Sequence, residues 1–150
     1  MRDPQEKSVA LTIRNEIPEF VLVSQSLEHL AEDVGVPSKA LIQLQIVLDE
    51  LLSNIVKYAW PANESHEIKI HIKIYDGVIE IAIMDDGAPF NPCQHPPRQL
   101  QAPGARPRPG GVGIHLVKQL VDDIKYARIG ERNQVVLTKT YVAQRSKGNM

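Results

Sequence analysis

The apolar residues of the N-terminal third repeat at two different periods. Residues 8–14 alternate between apolar and small or polar side chains, which predicts a first, half-buried strand. From Ile17 the spacing becomes helical, and Gly35 and Pro37 are expected to end this first helix. Its predicted apolar stripe consists of Phe20, Val21, Leu27, Leu30, Ala31 and Val34.

A second helix follows at once. Ser38 is the expected N-cap, because a serine hydroxyl accepts a hydrogen bond from the free amides of a first turn. The helix is expected to end near Trp60-Pro61. Its broad apolar face consists of Leu41, Leu44, Leu48, Leu51, Leu52 and Ile55.

The next segment has the pattern of a β-hairpin. Isoleucines alternate with other residues over 68–74 and again over 79–83, and Asp76-Gly77 lies between the two runs. Two antiparallel strands are therefore predicted. The second strand places Asp85 at its C-terminal end.

The C-terminal half begins with an irregular segment. Residues 87–111 contain seven of the eleven prolines and no sustained periodicity, which indicates a long loop that we interpret as a lid. A helix is predicted over 113–125, and two strands around the turn at 130–133 complete the domain. The tail at 144–150 is expected to be frayed.

These elements predict an α+β fold. Largely antiparallel strands would form one layer of a two-layer α/β sandwich, with three helices on one face and the other face partly free. The 150 residues are interpreted as a single domain, 1–150. The glycine-rich fingerprints of the Rossmann fold and of the P-loop are absent from the sequence.

Composition narrows the classes of partner. The formal net charge is −1, so no global field would attract nucleic acid or an anionic membrane. Cys93 is the single cysteine and cannot form an internal disulfide, and the N-terminus lacks the apolar run of a signal peptide. We expect a cytoplasmic protein that acts without direct contact to nucleic acid or membrane.

Three polar segments indicate a nucleotide site. Glu50, Asn54 and Lys57 would lie on one face of the second helix, because residues four and seven apart return to the same side. Asp85-Asp86-Gly87 ends a predicted strand. Gly110-Gly111-Val112-Gly113 begins a predicted helix, where free amides and the helix dipole favour phosphate.

These segments resemble the motifs of the ATP-binding fold shared by gyrase, heat-shock chaperones, sensor histidine kinases and mismatch-repair ATPases, called the Bergerat or GHKL fold. Residues 50–59 look like its asparagine box, 85–90 like its first glycine box and 110–114 like its second. The resemblance covers nearly the whole chain. Within the superfamily, the compact size most resembles the anti-sigma factor serine/threonine-protein kinases.

The resemblance implies roles for the helix residues. Sensor histidine kinases usually have an asparagine where this chain has Glu50, whereas the serine kinases have a glutamate, which could accept the proton of an attacking hydroxyl. Asn54 would hold Mg²⁺ through its side-chain oxygen. Two interpretations of Lys57 have equal weight: it neutralises phosphate charge, or it is an ordinary exposed helix lysine.

The resemblance also implies how ATP or ADP would be bound. Asp85 would accept a hydrogen bond from the adenine amino group, and Gly87 would let the base approach the backbone. The phosphates would lie on the backbone of Gly110, Gly111, Val112 and Gly113. Six other polar residues are assigned no role: Arg98, Arg106, Arg108, Cys93, His95 and His115. Loop arginines are usually solvated, and Cys93 and His95 alone do not supply the four ligands of a structural zinc site.

The resulting hypothesis is an ATP-dependent serine kinase and anti-sigma-type regulator. The resemblance implies a homodimer that phosphorylates a small anti-anti-sigma-like protein and binds a sigma factor. Two alternatives remain open at this stage. One is a nucleotide-gated partner-binding module with little catalysis, and the other is a detached histidine kinase catalytic module.

Overall fold

The computed structural model describes residues 6–93 and 113–143. Within these residues the chain forms five strands and three α-helices, and a short 3₁₀ turn precedes the first helix. In chain order the elements are β1 Lys7–Arg14, α1 Phe20–Val34, α2 Ser38–Tyr58, β2 Glu67–Tyr75, β3 Val78–Asp85, α3 Gly113–Leu120, β4 Asp123–Ile129 and β5 Arg132–Thr140.

The five strands form one sheet in the order β1-β2-β3-β5-β4, and every neighbouring pair is antiparallel. The predicted hairpin is confirmed. Asp76 and Gly77 both have positive φ, 48° and 74°, which is the backbone of a tight turn whose twist matches that of the flanking strands. The alternating isoleucines of β2 and β3 all point to one buried face: Ile68, Ile70, Ile72, Ile74, Ile79, Ile81 and Ile83.

The helices pack against this isoleucine face, so the predicted two-layer α+β sandwich is confirmed. α1 ends at Val34, and the C-cap residue Gly35 has a φ of 76°, in the left-handed region that glycine tolerates best. One detail of the α1 stripe was wrong. Val21 is 51% exposed, and Val23 occupies the buried position instead. Of the other predicted stripe residues, Phe20, Leu27, Leu30 and Ala31 are buried, and Val34 is partly buried against the core.

The predicted Ser38 cap is also wrong. α2 begins at Ser38 itself, and Pro37 is the N-cap residue, without a side-chain cap hydrogen bond. The proline ring fixes φ near −61°, which suits the extended entry into the helix, and its carbonyl accepts a hydrogen bond from the Leu41 amide at 3.1 Å. This is the first intrahelical hydrogen bond, so no side chain at the N-cap serves the free amides of the first turn.

The third helix is shorter than predicted. α3 ends at Leu120, and residues 123–125, assigned to the helix from sequence, belong to β4. The Asp122 amide donates to the Thr138 carbonyl at 2.9 Å, so the chain joins β5 directly after the helix. Strand pairing overrides the helical spacing. Of the predicted loop, residues 87–93 form no helix or strand, while 94–111 and the tail 144–150 lie outside the described residues.

A candidate nucleotide-binding site

The first part of the site lies on α2. Glu50 and Asn54 are one helical turn apart, and the Asn54 amide Nδ2 donates to Glu50 Oε1 at 3.4 Å. Asn54 is only 6% exposed, although an asparagine inside a helix is mildly unfavourable. Lys57 is exposed on the last turn of the same helix. Because Nδ2 faces Glu50, the amide oxygen Oδ1 of Asn54 is the atom left for a cation.

The second part lies at the end of β3. Asp85 occupies the inward phase of the strand, two residues after the buried Ile83, and is itself only 6% exposed. Its Oδ1 accepts two hydrogen bonds, from the Gly87 amide at 2.9 Å and from Asn133 Nδ2 at 3.0 Å. A buried carboxylate needs such donors, because burial without them penalises its charged form.

Asn133 is a site residue that the sequence reasoning missed. It lies directly opposite Asp85 in the register of β3 and β5 and is 3% exposed. A signal was present, since Asn133 precedes Val135 and Leu137 on the inward phase of β5. A polar residue at an inward strand position needs a buried partner. What the sequence lacked was the pairing of β5 with β3.

The loop after β3 is held from several directions. The Ala88 amide donates to the Ala59 carbonyl at 2.7 Å, which ties the loop to the end of α2. From β4, an Arg128 guanidinium nitrogen donates to the Gly87 carbonyl at 2.7 Å. A Cβ at Gly87 would lie 2.5 Å from the Ala59 Cβ, so only glycine allows this approach. The loop after β3 is therefore adjacent to the C-terminal end of α2.

The indole of Trp60 adds a further contact to this loop. Its Nε1 donates to Asp86 Oδ1 at 3.3 Å. The same indole stacks on the His66 ring, with 4.5 Å between ring centroids and 6° between planes. Tyr58 packs against Phe90 with 5.2 Å between ring centroids. Aromatic side chains at the end of α2 thus line the segment that follows Asp85.

The third part of the site is the start of α3. Gly113 packs so closely on the Glu50 side chain that a Cβ there would overlap the carboxyl group. Both residues line a small pocket of about 270 Å³ together with Asp49, Ser53 and Leu116. Burial raises the pKa of the Asp49 carboxyl above its usual range. Gly110, Gly111 and Val112 lie outside the described residues, so their predicted contact with phosphate stays a prediction.

Six polar residues were assigned no role from the sequence. Cys93 is half-buried, and burial raises the pKa of its thiol. His115 lies exposed on α3, and His95 and the three loop arginines fall outside the described residues. In the described ranges, 6–93 and 113–143, no three histidine, cysteine, aspartate or glutamate side chains are grouped to hold a metal. No helix among those residues has the length and apolar character to cross a bilayer.

The arrangement fits a purine nucleotide with a hard cation. Among the described residues no donor meets Asp85 Oδ2, so this buried oxygen can accept a hydrogen bond from an amino group. Asn54 offers an amide oxygen, a ligand type that Mg²⁺ accepts alongside water and phosphate. Gly113 exposes backbone at a helix N-terminus, where anions are stabilised. Base, cation and phosphate sites would thus all border α2.

Comparison with known proteins agrees with this geometry. Residues 14–139 match the histidine kinase-like ATPase domain. The chain belongs to this family. A curated member, the serine-protein kinase RsbW of Oceanobacillus iheyensis, is 30% identical over 132 residues, which cover 85% of this chain and 82% of that protein. RsbW of Listeria innocua is 31% identical over 127 residues, covering 81% of this chain and 80% of its own length.

Two further relatives extend the comparison. The serine/threonine-protein kinase BtrW of Bordetella bronchiseptica is 28% identical over 116 residues, covering 75% of this histidine kinase-like ATPase and 79% of BtrW. A solved Mycobacterium tuberculosis structure of RsbU and RsbW domains superposes with a TM-score of 0.65 at 14% identity. The match covers 90% of this chain but about a third (32%) of that one, and it supports the fold alone. The predicted resemblance to the serine-kinase branch of the GHKL superfamily is confirmed.

Proposed function

We propose that the protein is an ATP-dependent protein-serine kinase that also acts as an anti-sigma-type regulator. The observation that carries this proposal is the Glu50 carboxylate, which lies one turn from Asn54 and directly against Gly113 at the start of α3. A carboxylate is thereby placed beside both the proposed cation site and the proposed phosphate site. Relatives at about 30% identity over four fifths of their length bear the name serine-protein kinase.

ATP would be selected at Asp85. The exocyclic amino group of adenine is a donor, and Asp85 Oδ2 is a buried acceptor without a donor among the described residues. Guanine carries a carbonyl oxygen at the equivalent position, so two acceptors would face each other there. The carboxylate therefore favours ATP and ADP over guanine nucleotides.

Phosphoryl transfer would then use Glu50. The serine hydroxyl oxygen of a protein substrate attacks the γ-phosphorus, a new P–O bond forms, and the bond from the γ-phosphorus to the β–γ bridging oxygen breaks, with ADP as leaving group. Glu50 accepts the hydroxyl proton as that bond forms. Asn54 would hold Mg²⁺, which would neutralise phosphate charge when bound. Lys57, at the end of the same helix, would supply further positive charge.

The partners follow from the same proposal. The protein substrate would be a small anti-anti-sigma-like protein that presents a serine, and a sigma factor would be the regulated partner. We place the kinase in the cytoplasm, as its single cysteine suggests. A homodimer would form through the sheet face opposite the helices, where partly exposed side chains such as Lys73 and Glu80 alternate with the buried isoleucines.

The nucleotide site is tested first by calorimetry. ATP and ADP are titrated into the wild-type protein with and without Mg²⁺, and the measurement is repeated with Asp85→Asn. We expect micromolar binding by the wild type and a loss of about 100-fold in the variant, because a charged acceptor for the adenine amino group is replaced. Wild-type affinity in Asp85→Asn would contradict the base assignment. No binding by the wild type would remove the nucleotide site altogether.

The catalytic assignment is tested separately. Purified protein, γ-labelled ATP and candidate partner proteins are combined, and Glu50→Gln is compared with the wild type. We expect Glu50→Gln to bind ATP normally and to transfer phosphate at least 100-fold more slowly, since the isosteric amide cannot accept the proton. Transfer at the wild-type rate would refute a base role. Acid-labile product phosphate would indicate a histidine acceptor, and binding of a partner without transfer would indicate a nucleotide-gated binding module.

A further inference from the structure

Asn133 uses the whole hydrogen-bonding capacity of its side chain inside the protein. Its Nδ2 donates to Asp85 Oδ1 at 3.0 Å and to the Ala88 carbonyl at 2.9 Å. Its Oδ1 accepts from the Tyr126 hydroxyl at 2.5 Å and from the Phe90 amide at 3.4 Å. A side-chain amide has two donor hydrogens and two acceptor lone pairs, so none is left for a ligand.

The orientation of this amide is fixed by its neighbours. Turning it over would point the oxygen at the Asp85 carboxylate and the Ala88 carbonyl, and would point the NH₂ group at the Phe90 N–H. Each contact would then join two acceptors or two donors. The donor must therefore face Asp85. With its 3% exposure, Asn133 is well shielded from the water that would otherwise compete for these bonds.

The fixed Asn133 amide in turn fixes the orientation of the Asp85 carboxylate. Its Oδ1 already accepts from Asn133 and from the Gly87 amide, so both lone pairs of that oxygen are engaged. Rotation of the carboxylate about its Cβ–Cγ bond would break two hydrogen bonds inside the protein. The other oxygen, Oδ2, is consequently held in one place, as an acceptor with no donor among residues 6–93 and 113–143.

We infer that Asn133 is a positioning residue for purine selectivity: it locks the Asp85 carboxylate so that Oδ2 faces a nucleobase amino group. This inference rests on the proposed ATP site and adds to it a residue that touches no ligand. Adenine is favoured because its amino group meets a fixed acceptor that does not have to be reoriented on binding. A guanine carbonyl at the same place meets that same acceptor and is rejected.

The test compares ATP with GTP. Asn133→Leu has nearly the shape of asparagine but offers Asp85 no donor, and affinities for both nucleotides are measured by calorimetry. We expect the ratio of ATP affinity to GTP affinity to fall at least tenfold, roughly the effect of one lost hydrogen bond to a charged group. Tyr126→Phe is the matched control. It removes one bond from the same amide without touching Asp85, and we expect its ratio to stay within about threefold of the wild type.

The outcomes separate the inference from the proposed function. Equal weakening of ATP and GTP in folded Asn133→Leu would mean a structural role only and would overturn the inference, as would an unchanged ratio. Should that variant fail to fold, Asn133→Ser provides the same comparison, since its shorter polar side chain also withdraws the donor from Asp85. If Asp85→Asn loses the preference for ATP while the Asn133 variants keep it, the proposed site stands and the inference fails. If the wild type itself has no preference for ATP, both fail.

Discussion

The contact between Gly113 and Glu50 yields a sharp prediction for Gly113→Ala. A Cβ at this position would overlap the carboxyl carbon and one carboxyl oxygen of Glu50, well inside the 3.0 Å that Cβ atoms essentially never cross. The obstructing atoms are the far end of a flexible side chain. We therefore expect the Glu50 carboxyl to swing aside while the backbones of α2 and α3 keep their places.

The variant should lose activity without losing stability. A misplacement of about 1 Å of a catalytic group lowers a rate about 100-fold, so we expect kcat for serine phosphorylation to fall by about that factor. Gly113 has no positive φ, so alanine there also restricts the unfolded chain, which stabilises the protein by roughly 0.4–1 kcal/mol and offsets the crowding. The free energy of unfolding should therefore change by no more than about 1 kcal/mol.

Transfer of labelled γ-phosphate to the protein substrate measures kcat, and urea denaturation measures the free energy of unfolding. Gly130→Ala is the matched control, because a Cβ there meets nothing within 4 Å but the φ of +61° is strained for alanine. It should lose about 1 kcal/mol of stability and keep its kcat. Wild-type kcat in Gly113→Ala, or equal loss of stability in both variants, would refute the reasoning.

Three further predictions concern Gly87, Asp122 and Trp60. In Gly87→Ala the new Cβ would lie 2.5 Å from the Ala59 carbonyl oxygen, which is backbone and cannot swing aside, so urea denaturation should show a loss of about 1–3 kcal/mol. The Asp122 carboxylate accepts from the Thr140 amide, which lowers the pKa of that carboxyl below its usual range. A lowered folded-state pKa stabilises the protein above the unfolded value of 3.8, and this contribution is lost as the pH falls through the folded value. Asp122→Asn should thus cost less than about 1 kcal/mol at neutral pH, and this cost should shrink as the pH falls below 3.8. Trp60, the single tryptophan, donates a hydrogen bond to the loop after β3, so ATP binding should change its fluorescence emission. Trp60→Phe should abolish this signal while calorimetry shows an ATP-binding free energy within about 1 kcal/mol of the wild type. If ATP binds without changing the Trp60 emission, the base lies elsewhere.

Much of the site was accessible from sequence because its residues lie on locally encoded elements. Helical periodicity places Glu50 and Asn54 one turn apart, and the structure joins them by a hydrogen bond. Strand alternation places Asp85 on the inward phase at the end of β3. In both cases the relevant neighbours are within a few residues along the chain, so the pattern alone fixes their relation.

The contacts that the sequence did not reveal have a different origin. Asn133 reaches Asp85 across 48 positions of sequence, and only the pairing of β5 with β3 brings them together. The contact of Gly113 with Glu50 likewise joins two elements separated by the whole hairpin. Local spacing carries no information on such distances, and the sequence reasoning accordingly assigned Asn133 no role.

The sequence by itself determined the isoleucine alternation of β2 and β3, the turn at Asp76-Gly77, the two long helices and three motifs that point to a nucleotide. The tertiary structure decided where α3 ends and which buried partners orient Asp85. The difference follows from how far apart in the sequence the interacting residues lie. Periodicity is set by backbone geometry over a few residues, whereas strand register and the close approach of two backbones depend on how the whole core packs.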